Sequence, residues 1–406
     1  MSVEKLMVGI CFDESEIELG ELVYANRKIY FKYHPAFIER GIQISPLKLP
    51  LSSEIMAGDP EIFDGLFGVF NDSLPDGWGR LLLDRALQER GIPLGSLTPM
   101  ERLAYVGRKG MGALVYKPPA DLEEDSPFSP DLDEIASESQ KVLAGSSTEI
   151  LDELFLMGGS SGGARPKIML GYHPETDHLI SGVGAFPEGY EAWLIKFPSS
   201  IDPPDIASIE YAYYLMALEA GLNMHPCKLF RTQSGSVYFG TKRFDREEGK
   251  RLHMHSASGL MHDNFRLSTM DYGHLMDAAF RLEHHVAAYE KILRLAAFNV
   301  CAHNRDDHSK NVSFLMEANG EWRLAPAYDL TFSRTAHGYH SMTIAGEGKA
   351  PKKQHLLELA RIFSVKHPQR IIEEVQESIS RWQSHSTNSG VGKDSMNLIQ
   401  RTLNQI

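Results

Sequence analysis

Cysteine is scarce: Cys11, Cys227 and Cys301 are the only three in 406 residues, far apart and odd in number. That excludes a disulfide framework and a cysteine-based zinc site. No apolar run approaches the ~18 residues of a membrane-spanning helix. The start, Met1-Ser2-Val3-Glu4-Lys5, has no signal-peptide apolar core, so a cytoplasmic chain without membrane association is expected. Positive charge is also short, with 41 Lys and Arg against 54 Asp and Glu, a net charge of −13. No direct nucleic-acid binding is expected of such a chain alone, and association with DNA would need a basic partner. Internal repeats are absent. The 17 histidines, including His253/His255 and His284/His285, show no zinc-ligand framework and read as surface or packing residues.

What is present divides the chain. Its length has room for roughly two to four domains. Hydrophobic residues make up 42% and charged residues 23%, an ordinary globular balance. Residues 7–12, 20–24 and 28–33 alternate in the β manner and predict three strands, with Asn26 in the turn between the last two. After the turn Leu74-Pro75-Asp76, residues 78–87 have helical spacing with Arg80, Asp84 and Arg85 on the wet side. The glycines from Gly107 to Gly112 predict tight packing before a strand ending at Tyr116. Four prolines and several acids over 117–131 mark a linker, placed at 121–130. Helices are expected at 131–143, 148–157, 205–219 with Asp205 as cap, 270–284 and 287–303. A further helix opens at Pro368 with Ile371, Ile372, Val375, Ile379 and Trp382 on one face; a flexible break at 384–392 precedes a last one at 393–404. The organisation read from this is a β-rich domain (1–120), the linker (121–130), a mixed α/β lobe (131–245) and a helical lobe (246–406).

Three stretches carry chemistry. Gly158-Gly159-Ser160-Ser161-Gly162-Gly163 is a loop whose amides can face an anion, though it is neither a Walker A nor a G-x-G-x-x-G pattern. Through Gly158, Ser160 and Gly162 it also matches G-x-S-x-G, so a serine hydrolase using Ser160 is a rival. A mobile linker is the plain alternative. Next, the strand at 191–197 carries Lys196 alone in an apolar run, either snorkelling at an edge or reaching a phosphate. Glu210 in the following helix is its natural partner. A strand from Val237 to Arg246 ends in polar residues and predicts a connector between lobes.

The third stretch is Asn304-Arg305-Asp306-Asp307-His308-Ser309-Lys310-Asn311, eight consecutive polar residues, followed by Ala327-Tyr328-Asp329. Asp306 and Asn311 stand as Asp-x-x-x-x-Asn. A hairpin of 314–316 and 322–325 predicts the return of Asp329 beside Asn311. Phosphoryl transfer explains these residue types. A hydroxyl nucleophile needs a carboxylate to accept its proton, and hard cations on phosphates need oxygen ligands. A polar loop between a helix and a hairpin is the bland alternative, set against this density of charged groups.

Together these motifs resemble the HipA family of bacterial serine/threonine kinases, the toxin component of toxin–antitoxin pairs. The resemblance runs through 67–76, 102–107, 160–167, Ile195-Lys196-Phe197-Pro198, Lys242-Arg243-Phe244-Asp245-Arg246, 306–311 and Tyr328-Asp329-Leu330. It implies an α+β fold: a HipA-like, PI3-4-kinase-like two-lobed kinase core with an N-terminal β-rich subdomain and a helical C-terminal lobe. It implies ATP and Mg²⁺, with Asp306 as catalytic residue and Asn311 and Asp329 as metal ligands. Around the nucleotide it implies Gly162, Gly163, Ala164, Arg165, Lys167, Lys196, Lys242, Phe244, His308 and Lys310, with Glu210 as ion-pair support. It also implies autophosphorylation of a loop serine, Ser160 or the adjacent Ser161. A protein substrate, by family precedent in translation, and a HipB-like DNA-binding antitoxin complete the picture. Arg165 stands where the family frequently has Gln, and Lys242 where some members have an acid. A phosphate would add about −1.5 to −2 charges to the loop, repelling nucleotide and finding Arg165 or Lys167 as partners. A catalytically silent antitoxin-binding module is a further alternative, disfavoured by the intact Asp306, Asn311 and Asp329.

Overall fold

The computed structural model describes every residue except 1–2, 14, 121–127, 147, 160, 183–185, 335–337 and 404–406. Most of the expected linker and the expected Ser160 thus lie outside the described residues. Strands β1 (Lys5–Cys11), β2 (Glu16–Ala25), β3 (Lys28–Tyr33), β4 (Met56–Ala57) and β5 (Leu114–Lys117) form an antiparallel sheet in the order β4-β3-β2-β1-β5. Period-two alternation buries Leu6, Val8 and Ile10 of β1 with Ile29, Phe31 and Tyr33 of β3 in one core. The turn between β2 and β3 is Asn26-Arg27, both at positive φ (51° and 60°), the conformation that matches the twist of a two-residue hairpin.

A second antiparallel sheet joins β6 (Lys167–His173), β7 (His178–Ser181), β8 (Glu191–Lys196), β9 (Cys227–Arg231) and β10 (Val237–Lys242) in the order β7-β6-β8-β10-β9. Helices Leu132–Ala144 and Leu151–Gly158 cover it. Helix Gly77–Glu89 joins them, although it precedes the expected linker. Its Trp78, Leu82 and Ala86 recur at helical spacing and pack into the core of Ile168, Leu170, Trp193 and Ile195. The expected strand to Arg246 is cut short at Lys242. There Arg243 turns inward and forks onto Asp245, at 3.0 and 2.8 Å, and both are buried. The chain resumes as the small hairpin β11 (Arg246–Glu247) and β12 (Lys250–Arg251).

The expected hairpin near the end of the site is β14 (Ser313–Met316) and β15 (Trp322–Leu324), and β13 (His253–Ser256) adds a third strand. Helices Tyr272–Glu283, Ala287–Cys301, Lys353–Ile362, Pro368–Ser380, Trp382–Ser389 and Lys393–Leu403 share one large core around Ile292, Leu293, Phe298, Ile372, Val375 and Trp382. The expected break at 384–392 is instead largely helix, anchored by buried Trp382 and closed by Gly390 at φ 79°. Asp205 makes no cap hydrogen bond to helix Ile206–Glu219. Its carboxylate takes the Gly392 N–H (2.8 Å) and the Ser395 hydroxyl (2.9 Å), so it steadies the start of the last helix.

The β-rich part meets the helical part backbone to backbone. The short helix Gly68–Asn71 lies on helix Ala257–Met261, and a Cβ on Gly68 would sit 2.0 Å from the Gly259 carbonyl. Beside them Asp72 accepts the Ser256 N–H (2.7 Å), the Ser256 hydroxyl (2.6 Å) and His255 Nδ1–H (2.7 Å). Among the described residues no helix is long and apolar enough to cross a membrane.

Candidate active site

Strand β8 places the lysine. Trp193 and Ile195 point into the sheet core, so alternation turns Leu194 and Lys196 to the opposite face, where a cavity of about 940 Å³ opens. Lys196 Nζ donates to Glu210, only 4% exposed, and to Asp329 Oδ1 at 2.7 Å. Asp329 is held at φ 56°, a left-handed conformation that asparagine and aspartate tolerate better than most residues. Burial pulls the Lys196 pKa down, but Asp329 and then Glu210 outweigh it, and the ammonium ends above its ordinary range. Burial pushes Asp329 up, but Lys196 and Lys167 outweigh it and hold the carboxyl well below the usual carboxylate range. Lys196 and Asp329 are therefore both charged at neutral pH.

The polar stretch 304–311 leaves helix Ala287–Cys301 as a loop with two adjacent carboxylates facing opposite ways. Asp307 is buried and accepts from Tyr272 Oη (2.9 Å), His340 Nδ1 (3.0 Å) and the Ser341 N–H (2.8 Å). Tyr272 in turn accepts from Asn299 Nδ2 at 2.8 Å. With Asp307 anchored inward, Asp306 projects into the cavity, its side chain 59% exposed. Desolvation by the cavity walls raises the Asp306 pKa; His308 opposes this, while Asp329 and Asp307 add to it. Asn311 Nδ2 donates to the Asp306 carbonyl at 2.8 Å, which leaves its Oδ1 as an acceptor.

Gly162, Gly163, Ala164, Arg165, Lys167, Lys196, Glu210, Lys242, Phe244, Asp306, His308, Lys310, Asn311 and Asp329 all line this one cavity. Ser161 does not: its hydroxyl donates to the Gly158 carbonyl at 2.6 Å, and the residue is 1% exposed. Arg165 is forked on Asp202, with Nη2–Oδ1 at 2.8 Å, and its Nη1 lies 3.9 Å from Glu210. Lys167 Nζ donates to the Gly162 carbonyl at 2.6 Å, and burial lowers its pKa despite Asp329. Lys242 is tied to Glu191 at 2.6 Å. Phe244 lies 5.3 Å from the Tyr328 ring and lines the cavity, as do the apolar Leu194 and Met224. His308 Nε2 is 3.8 Å from Asp306, and Lys310 reaches Asp76 at 2.5 Å. Asp76, Asp202 and Asp307 escaped the sequence reading. Asp76 had a local signal in the Leu74-Pro75-Asp76 turn, but nothing in the sequence says that this turn meets the glycine-rich loop. The G-x-S-x-G stretch lies between a helix and strand β6, the reverse of the strand–turn–helix order that a hydrolase elbow needs.

Comparison with known proteins adds the relatives. HipA of Shewanella oneidensis MR-1, solved as a toxin–antitoxin complex with HipB and operator DNA, matches at TM-score 0.67 and 18% identity, over 98% of this chain and 95% of that one. The Helicobacter pylori proinflammatory kinase CtkA matches at TM-score 0.31 and 12% identity, over 50% of this chain and 92% of that one. A search of curated proteins returned no significant match. The expected α+β two-lobed architecture is thus the one the chain adopts. Family profiles described as the HipA N-terminal domain and the HipA-like C-terminal domain match residues 12–117 and 159–383, and the chain belongs to the HipA family.

Proposed function

We propose that this HipA-family chain is an ATP- and Mg²⁺-dependent protein serine/threonine kinase of the toxin type. The observation that carries the reading is the Glu210–Lys196–Asp329 chain, in the same cavity as Asp306, Asn311 and the glycine-rich loop. A lysine held by a helix glutamate is how phosphoryl-transfer sites keep an ammonium aimed at phosphate oxygens. The donors also fit Mg²⁺: Asp329 offers a carboxylate and Asn311 an amide oxygen. Among the described residues no group of three or more His, Cys, Asp or Glu could cage a metal. That suits Mg²⁺, which is usually held by one or two protein oxygens and completed by phosphates and water. When bound, it supplies neutralisation of phosphate charge.

The chain's own residues do the rest. Asp306 takes the proton from the attacking serine or threonine hydroxyl at its carboxylate, a role its raised pKa favours. As the hydroxyl oxygen bonds to the γ-phosphorus, the bond to the departing ADP oxygen breaks. Lys196 offsets the charge that develops on the phosphates, and the 162–165 backbone encloses them and excludes water. Autophosphorylation at Ser160 or Ser161 belongs to this reading; Ser161 would first have to leave its bond to Gly158. A protein of translation as substrate, a cytoplasmic location and a HipB-like DNA-binding antitoxin belong to it as well. The net charge of −13 suits a basic partner that mediates contact with DNA.

The test is incubation of the purified chain with labelled ATP and Mg²⁺, followed by mass spectrometry of modified sites. Label is expected on a loop serine, and none in Asp306→Ala or Asp329→Ala. Full autophosphorylation by both variants overturns the proposal.

A further inference from the structure

The β-rich N-terminal part lines the cavity with Met111 and Leu114, and with the turn that carries Asp76 and Gly77. Asp76 occupies the N-cap position of helix Gly77–Glu89, where an aspartate ordinarily accepts from the helix's own first amides. It makes no such bond. Its Oδ1 instead accepts the N–H of Gly163 in the glycine-rich loop, at 2.5 Å. The Trp78 N–H donates to the carbonyl of the same Gly163 at 2.9 Å, so residues 76–78 hold both backbone groups of one loop residue. Trp78 Nε1 adds a bond to the Lys167 carbonyl at 3.1 Å. The fit leaves no room for side chains: a Cβ on Gly77, itself at φ +45°, would lie 2.3 Å from the Gly163 carbonyl oxygen.

The second oxygen of Asp76 accepts from Lys310 Nζ at 2.5 Å. Lys310 stands directly before Asn311, in the loop that carries Asp306. A single carboxylate, 13% exposed, thus joins the glycine-rich loop to the catalytic loop. Burial would raise its pKa, but Lys310 and the Gly163 N–H outweigh burial and keep it ionised.

We propose that Asp76 is a positioning residue that clasps the glycine-rich loop over the phosphate end of the cavity and aims Lys310 into it. The N-terminal half of the chain then sets the geometry of the transfer site rather than merely abutting it. The catalytic consequence rests on the kinase reading above; the clasp itself does not.

Two measurements on the full chain separate them. In hydrogen–deuterium exchange, Asp76→Ala should speed exchange in the 161–167 segment about tenfold, the equivalent of one lost hydrogen bond. Asp76→Asn keeps an oxygen for Gly163 and should speed it far less, while helix Pro368–Ser380 exchanges as in wild type in both. In ATP kinetics, both variants should raise KM about tenfold with a smaller fall in kcat, because Lys310 has lost the carboxylate that aims it. A merely structural role would lower the active fraction and leave KM alone. Unchanged loop exchange in a folded Asp76→Ala overturns the clasp, and an unchanged KM for ATP overturns its catalytic role. If wild type transfers no phosphate, the kinase reading fails and the exchange result still decides the clasp.

Discussion

Replacing Lys196 with methionine removes a cation and keeps most of the volume of its stem. The result depends on which groups are left behind. Asp329 is 31% exposed and keeps the attraction of Lys167 and Arg165, so it can regain water. Glu210 is 4% exposed; Arg165 Nη1 stays 3.9 Å away but is already committed to Asp202. One carboxylate is therefore stranded, not two. Breaking a buried ion pair costs about 3–5 kcal/mol, and the partial relief puts this loss near 3 kcal/mol. That lowers the melting temperature by roughly 6–12 °C for a unit of this size. Stranding also changes the pH dependence. In wild type, Asp329 is held below its ordinary 3.8, so its contribution is full above that value and is lost only in stronger acid. In Lys196→Met, Glu210 is a buried carboxylate without its ammonium. Its folded pKa rises above the unfolded one, and the penalty is full at high pH and relieved as the pH falls. The stability gap between wild type and variant should narrow from about pH 8 to about pH 5, read by urea melts. Adding Glu210→Gln should recover most of the loss, because an amide carries no charge to strand. A gap under about 1 kcal/mol, or one constant across this range, refutes the reasoning. Phosphate transfer by the variant should fall at least about a hundredfold.

Asp306→Ala should leave the melting temperature within about 2 °C of wild type, since the side chain is largely exposed, while transfer drops by at least about a hundredfold; retained transfer would sink the assignment. His253 is fully buried, with Nε2–H given to the Ile44 carbonyl and no partner for Nδ1 among the described residues. Burial and then His255 push its pKa down to about 3. A histidine that stays neutral when folded costs stability as pH falls below its ordinary value, roughly 2 kcal/mol between pH 6.5 and 5. His253→Gln should flatten that slope in urea melts, and an equal slope in both proteins counts against it. Tyr272→Phe removes the hydroxyl that bonds Asp307 and Asn299 inside the core. It should cost about 1–3 kcal/mol and lower kcat, because Asp306 is aimed by its neighbour; unaltered stability and kcat would refute this coupling.

The sequence was most legible where a short period governs. Alternation located β1, β2 and β3 of the first sheet but not the two-residue β4. Lys196 stood out as the lone charge of an apolar strand, and Glu210 was legible only through its likeness to the lysine–glutamate pair of kinases. Asp-x-x-x-x-Asn was visible because the polar run was dense. What stayed hidden depends on distant neighbours. No local signal tells which aspartate of the Asp306-Asp307 pair faces inward; Tyr272 and His340 decide it. Asp76 and Asp205 both sit where helix caps belong, yet each side chain bonds a segment far along the chain. The stretch 384–392 reads as flexible from its serines, threonine and asparagine. Trp382, packed into the core, supplies the burial that makes much of it helical. The helix from Gly77 looked like part of the first domain, and its apolar stripe belongs to the second sheet.

The contact of Gly68 with Gly259 reaches beyond stability. Two main chains there lie closer than any side chain permits, and Asp72 is threaded into the next turn beside them. Such a seam admits no filler and no gradual loosening: even a methyl group on either glycine would wedge the halves apart. The two segments must therefore be inherited as a matched set, and a chimera that borrows one half from a distant cousin would inherit a misfit at this seam.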